Sequence, residues 1–168
     1  RLQDPVNLHQ LLEIEANYPD IQLIVAHVGR AYCDHDVGNA FTVLQPATKM
    51  YFDFSANTND RVFAALLRAV GPQRVLFGTD LPILRMRMRR ICRDGHYVNL
   101  VRKGAYGDVS GDKNMGEVEG AEADTLTFFL YEELTAFRRA AEAVGLARGE
   151  VEDVFYHNAA RMIARARG

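Results

Sequence analysis

Two side chains able to move a proton or hold a metal stand at comparable places. His27 follows the apolar run 21–26, and Asp80 follows the apolar run 74–77. An imidazole titrates near neutrality, and a carboxylate can take a proton from water or ligate a divalent cation. They lie 53 residues apart, room for two strand–helix units, so parallel strands would open both onto one cavity. Each has a structural alternative: His27 as a hydrogen bond at a strand end, Asp80 as the cap of the turn before Pro82. Ser55 and Asn57 end the run between them and offer either substrate contacts or turn chemistry. Arg85, Arg89 and Arg93 share one face if their segment is helical. That face is either an anion-binding wall suited to an acid substrate or a solvated surface. Cys33 and His35 have a C-x-H spacing but no clustered partners, so a loop and a helix start at Asp34 or Asp36 is the better account. His9 and His157 read as packing or surface residues. His96 sits in a glycine-rich stretch and reaches a ligand only if that stretch folds inward.

The elements that must position these residues follow a regular order. Asp4-Pro5 starts a helix that Tyr18-Pro19-Asp20 stops. Residues 21–26, 49–54 and 74–77 are buried strands by composition. Helices are predicted over 36–47, with Val37, Ala40, Phe41 and Leu44 on one face, and from Asn59 or Asp60 to Val70, with Gly71-Pro72 as the stop. Alternating helices and strands with short connections predict a parallel sheet of right-handed βαβ units. Beyond Pro82, Leu84, Met88 and Ile91 have helical spacing. Residues 94–120 read as a glycine-rich loop with a short strand at 97–101. A strong helix is predicted over 122–144 and two short ones over 150–156 and 158–166.

The sequence of 168 residues is long enough for one domain with a core. A formal net charge of −2 and the lack of an extended basic stripe argue against nucleic acid. No apolar run approaches a membrane span, and the polar start 1–5 is no signal peptide. Two cysteines, far apart, do not suggest a disulfide framework, so a reducing, cytoplasmic setting is expected. A small molecule is the expected partner, and the exposed crossover helices leave room for a homo-oligomer.

Together these segments resemble a known family. Residues 18–30, closing on Ala26-His27-Val28-Gly29-Arg30, are similar to the sixth-strand signature of the amidohydrolase-2 branch of metal-dependent TIM-barrel hydrolases. Residues 50–56 resemble its seventh strand. Residues 71–82, containing Phe77-Gly78-Thr79-Asp80-Leu81-Pro82, resemble its eighth, and residues 155–163 its closing helix. The resemblance implies an α/β fold, the last three βα units (strands six to eight) of a (β/α)8 barrel. It divides the chain into βα units over 1–82, an insertion or lid over 83–121, and closing helices over 122–168. It makes Asp80 the eighth-strand aspartate, a metal ligand and base for the attacking water. It makes His27 the sixth-strand histidine, which polarises the substrate or handles protons. Zinc or manganese is the cofactor it implies. The family's first-strand metal pair and fifth-strand histidine have no counterpart in these 168 residues, and three strands cannot close an eight-stranded barrel. The expectation is therefore the C-terminal part of a longer enzyme, inactive by itself, with most metal ligands outside this chain.

Three functions fit. The first is a metal-dependent hydrolase acting on a small, acidic molecule through metal-activated water, with Arg85, Arg89, Ser55 and Asn57 as substrate contacts. The second is a non-oxidative aromatic-acid decarboxylase on the same scaffold. The third is a non-catalytic α/β fragment or binding module.

Overall fold

Asp4 begins the first helix as its sequence implies. Its carboxylate accepts from the backbone N–H of Val6 at 2.9 Å, and α1 (Pro5–Asn17) follows with Pro5 in its first turn. The computed structural model describes residues 1–167. Strand β1 (Ile24–Val25) runs into α2 (His27–Arg30), a single left-handed turn, and α3 (Ala40–Val43) is another single turn. Strand β2 (Tyr51–Asp53) lies parallel to β1. Helix α4 (Asp60–Val70) crosses to β3 (Val75–Leu76), which lies parallel to β2 on its other side, giving the order β1-β2-β3.

The strands are shorter than the apolar runs that predict them. Ladder pairing links only Ile24 to Tyr51, Val25 to Phe52, Phe52 to Val75 and Asp53 to Leu76. Beyond that register the backbone turns left-handed after β1, and hydrophobic residues on either side still pack into the core without a strand partner. Helix α4 keeps its expected bounds because both ends are chemically marked. Asn59 accepts from the N–H of Arg61 and Val62 at 3.1 Å, and Gly71 exits at a φ of 76°. Its buried face, Val62, Phe63, Leu66 and Leu67, joins Phe52, Phe54 and Phe137 in the main core. Phe54 stacks on Phe137 with centroids 4.8 Å apart.

The helix predicted over 36–47 does not form. A 3₁₀ turn, Asp34–Asp36, and α3 replace it, because the buried Asp36 carboxylate turns back onto the N–H groups of Tyr32 and Cys33 (3.1 and 2.9 Å). Gly38, at a φ of 50°, separates the two pieces.

The largest departure follows Pro82. The segment is a 3₁₀ turn, Ile83–Arg85, and then a sheet of β4 (Met88–Arg93), β5 (His96–Arg102) and β6 (Met115–Val118). β4 pairs antiparallel with β5 and β5 parallel with β6. The expected helical face of Arg85, Arg89 and Arg93 therefore does not exist, and the glycine-rich stretch contributes two strands, β5 and β6, joined by the loop 103–114. The physical signal is the dipeptide Asp94-Gly95, both at positive φ (50° and 74°), which forms the two-residue turn that a twisted hairpin favours. A second core of Leu84, Met88, Val101 and Phe129 seats this sheet against Ala56 at the end of β2.

The helix predicted over 122–144 is two, α5 (Gly120–Asp124) and α6 (Phe129–Val144). They part because residues 125–128 run alongside the start of β4. Met88 N–H donates to Thr127 O at 3.1 Å and Phe129 N–H to Met86 O at 2.8 Å. Helix α7 (Arg148–Glu152), a wide turn at Asp153–His157 and α8 (Asn158–Arg167) close the chain. The buried Asn158 amide donates to Pro72 O and Val75 O at 2.7 and 2.8 Å, clamping these helices onto β3.

Cys33 and Cys92 form a disulfide, contrary to the expectation from their number and spacing. The β4–β5 hairpin folds back over the segment after α2 and brings the two Cα atoms to 5.9 Å, inside bridging range. The bond also removes Cys33 from any metal pairing with His35. No helix among the described residues is long and apolar enough to cross a membrane.

Candidate catalytic site

All three parallel strands leave the sheet at the same end with a residue in the left-handed region: His27 (φ 55°), Ala56 (φ 49°) and Asp80 (φ 42°). A non-glycine residue there costs about 1 to 2 kcal/mol. His27, Val28, Gly29 and Arg30 occupy that region in succession. Such a run persists only where its surroundings hold it, and strain of this kind concentrates at functional sites. Three contacts hold it. Val28 is fully buried, and the His27 N–H donates to Asp53 Oδ1 at 3.0 Å. Gly29 presses so closely on Leu2 that a Cβ there would lie 2.9 Å from the leucine side chain.

Asp53, the last residue of β2, organises the site. Its Oδ1 accepts from the His27 N–H at 3.0 Å, the Ser55 N–H at 3.0 Å and the Ser55 hydroxyl at 2.6 Å. Two oxygens of Ser55 flank His27 Nδ1, the carbonyl at 2.8 Å and Oγ at 3.0 Å. The hydroxyl has one proton and gives it to Asp53, and a carbonyl has none. Both oxygens must therefore accept from Nδ1, so the network assigns the proton to Nδ1 and leaves the Nε2 lone pair of the neutral ring free. A histidine held this way is a base or a ligand through Nε2.

Asp80 is exposed at the end of β3, and its carboxylate has no hydrogen-bond or ion-pair partner among the described residues. β1 and β3 flank β2, so His27 and Asp80 start from strand ends two spacings apart, about 10 Å. Gly78 lets β3 approach Ser55: a Cβ there would sit 3.2 Å from Ser55 Cβ.

The other sequence candidates fall in different places. Ser55 is 5% exposed and its hydroxyl faces His27 and Asp53. Asn57 is 0% exposed, donating to Ala31 O at 2.8 Å and accepting from the Asn59 N–H at 3.1 Å. Arg85 is exposed on its 3₁₀ turn. Arg89 points from β4 toward the break between α5 and α6, 3.4 Å from Thr125 O and 4.0 Å from Glu132.

Sequence reasoning missed three residues. Asp53 had a readable signal, a carboxylate inside a buried strand. Arg90 is enclosed by the rings of Tyr32, Phe129 and Tyr97, with centroids 4.1, 4.8 and 4.9 Å away, and donates to Ala56 O. Glu133 is 0% exposed on α6, on the same stripe as Phe129 and Phe137, and an acid on that stripe was its signal. Neither of its carboxyl oxygens has a hydrogen-bond partner among the described residues. The N–H groups of Ala56 and Asn57 face it without reaching hydrogen-bond geometry. Burial pushes this carboxyl up to about 9, the charges of Asp53 and Asp80 push the same way, and the two backbone N–H groups oppose them. Glu133 is thus a neutral acid at pH 7.

Residues 2–165 match the family model described as amidohydrolase, and the chain belongs to that family. The family is built on the TIM barrel, is generally enzymatic, with hydrolase and decarboxylase members, and typically uses divalent metals. The mixed α/β fold with parallel strands agrees with it. Neither curated proteins nor solved structures yield a match. The donors of this chain do not by themselves fit a zinc or manganese centre. Among the described residues no three His, Cys, Asp or Glu side chains cluster closely enough to hold an ion.

Proposed function

We propose that this chain carries the proton-handling face of a hydrolase for a small, acidic molecule, on strands equivalent to the last three of a TIM barrel. The observation that carries this reading is the fixed imidazole: Asp53 and Ser55 commit His27 Nδ1 and leave Nε2 free, on the sheet end that also presents the unpaired Asp80 carboxylate. In hydrolysis, Asp80 accepts the proton of the attacking water as the new C–O bond forms, and that proton passes through His27 Nε2 to the leaving group as its bond to the acyl carbon breaks, while Ser55 and Asp53 stabilise the ring when it is charged. Glu133, neutral and out of water, keeps a third negative charge away from Asp53 and Asp80. Asp80 is also the carboxylate placed to join a divalent metal if further ligands come from outside this chain. The sheet β4-β5-β6 would act as a wall over the strand ends.

The test, made on a preparation that supplies the remaining barrel strands, is turnover of a panel of carboxylate-bearing esters, amides and lactones, with and without added zinc or manganese. Asp80→Asn should abolish hydrolysis, and His27→Asn should lower kcat about 10²- to 10⁴-fold. Full activity in Asp80→Asn would overturn the reading. Release of carbon dioxide from an aromatic acid, without hydrolysis of the panel, would place the chain among the decarboxylases.

A further inference from the structure

The carbonyl that holds the imidazole proton belongs to a turn, not to a strand. Ser55 O faces His27 Nδ1 at 2.8 Å and lies in the peptide plane before Ala56. Ala56 is 3% exposed and stands at a φ of 49°, where a non-glycine residue is strained. The turn keeps this shape only while its neighbours hold it. On one side, Asp53 Oδ1 accepts from the Ser55 N–H at 3.0 Å. On the other, Arg90 holds the plane after Ala56, donating from Nη1 to the Ala56 carbonyl.

Arg90 is itself fixed. Its guanidinium lies 4.1, 4.8 and 4.9 Å from the ring centroids of Tyr32, Phe129 and Tyr97, and its Nε donates to Asn99 Oδ1 at 2.8 Å. Phe129 and Ala56 share the small second core. Tyr32 follows the left-handed turn of His27, and two residues further along β4 Cys92 is bonded to Cys33. β4 thus grips both segments that meet at the His27–Ser55 contact. It holds the one after β1 through Tyr32 and Cys33, and the one after β2 through Ala56. A peptide plane is rigid, so two dihedrals at Ala56 connect the plane that Arg90 holds to the plane that carries Ser55 O. With Ala56 confined to the small left-handed well, fixing one plane orients the other.

We propose that Arg90 is a positioning residue for His27: from β4 it holds the Ala56 turn so that the Ser55 carbonyl stays opposite Nδ1. It acts through one backbone carbonyl. Without that bond the plane between Ser55 and Ala56 rotates out of the strained well, and Nδ1 loses its carbonyl acceptor. The Ser55 hydroxyl remains an acceptor, so the proton spreads over both ring nitrogens rather than moving wholly to Nε2. The consequence for turnover rests on the hydrolase reading, whereas the effect on the tautomer does not.

The experiment is nitrogen-15 NMR of the neutral His27 ring in the full, oxidised chain. In the native chain the protonated Nδ1 and the free Nε2 should give well-separated resonances. In Arg90→Met the two should move toward each other, and Arg90→Lys, which keeps a donor but not the planar fork, should fall between. The control is the double variant Cys33→Ser, Cys92→Ser, which loosens the same hairpin and leaves the bond from Arg90 to Ala56 in place. Its ring should keep the native resonances. Native resonances in a folded Arg90→Met would overturn the proposal, as would an equal shift in the cysteine variant, which would assign the effect to general loosening. Should Arg90→Met fail to fold, hydrogen exchange in the native chain decides. The Asn57 amide, whose plane Arg90 holds, should be protected as strongly as the amides of α4, and free exchange there would show that the turn is not held. On the hydrolase reading, Arg90→Met also lowers kcat several-fold with little change in KM. A shifted ring together with an inert hydrolysis panel would leave the positioning role standing and remove the hydrolase reading alone.

Discussion

Asp53 Oδ1 accepts three hydrogen bonds, and one of them takes the only proton of the Ser55 hydroxyl, leaving Oγ an acceptor toward His27. The tautomer of His27 therefore depends on a residue that need not touch substrate. Ser55→Ala removes the hydroxyl acceptor at Nδ1 and the link to Asp53. It should lower kcat about tenfold with little change in KM, at a stability cost of about 1 kcal/mol. Nitrogen-15 chemical shifts of the neutral His27 ring check the assignment: the proton should sit on Nδ1 in the native chain and spread to both nitrogens in Asp53→Asn. A native ring already protonated on Nε2 would refute it. Glu133 makes a prediction about pH. Its folded value, about 9, lies above its unfolded value, so the native state binds more protons between about pH 4.5 and 9. The stability this neutral acid allows is therefore fully present below about pH 4.5 and lost as pH rises through 9, by up to about 1.4 kcal/mol per unit. Denaturant midpoints measured across that window should fall with pH in the native chain and stay flatter in Glu133→Gln. Asp53 and Ser55 were within reach of a sequence reader, as polar residues at a strand end. The role of Arg90 was not, because its three ring partners come from residues 32, 97 and 129.

At the scale of elements, marked ends were legible and short-range periodicity misled. α1 and α4 form where Asp4 and Asn59 cap them and where Tyr18 and Gly71 stop them. Residues 84–93 carry both a helical spacing of apolar residues and a strand alternation, and the spacing alone does not choose. Asp94-Gly95 chooses, since two successive positive φ angles favour a hairpin over a helix. Gly95→Val places a β-branched residue at a φ of 74° and should destabilise the hairpin by about 1 to 2 kcal/mol. Amide hydrogen exchange should report this locally, with protection lost in β4 and β5 before α4. The same argument explains α5 and α6. The apolar stripe from Leu126 to Ala141 is continuous in sequence, but residues 125–128 give their backbone to the start of β4, and a helix cannot also use it.

Over the whole molecule, the second sheet is tied to the strand ends by one covalent bond and one small core. The Cys33–Cys92 bridge spans 59 residues, and closing a loop of that length restricts the unfolded chain by about 4 kcal/mol on the chain-entropy account. The double variant Cys33→Ser, Cys92→Ser should lose about 2 to 4 kcal/mol in chemical unfolding while keeping its helical circular dichroism. A variant as stable as the native chain would show that the hairpin holds by packing alone.

The amino-acid sequence by itself determined the family, the alternation of helices and parallel strands, and the placing of His27 and Asp80 after the first and third of them. Those features rest on local signals: caps, stops, β-branched runs and motif residues adjacent in the chain. Tertiary structure decided the rest. It set the strand lengths, because pairing needs a neighbour. It made the segment after Pro82 a sheet, joined cysteines 59 residues apart, and turned Ser55 toward His27. It buried Glu133 and Arg90 without matching charges. The energy of a charge depends on everything that surrounds it in space, and that surrounding comes from segments the sequence keeps far apart.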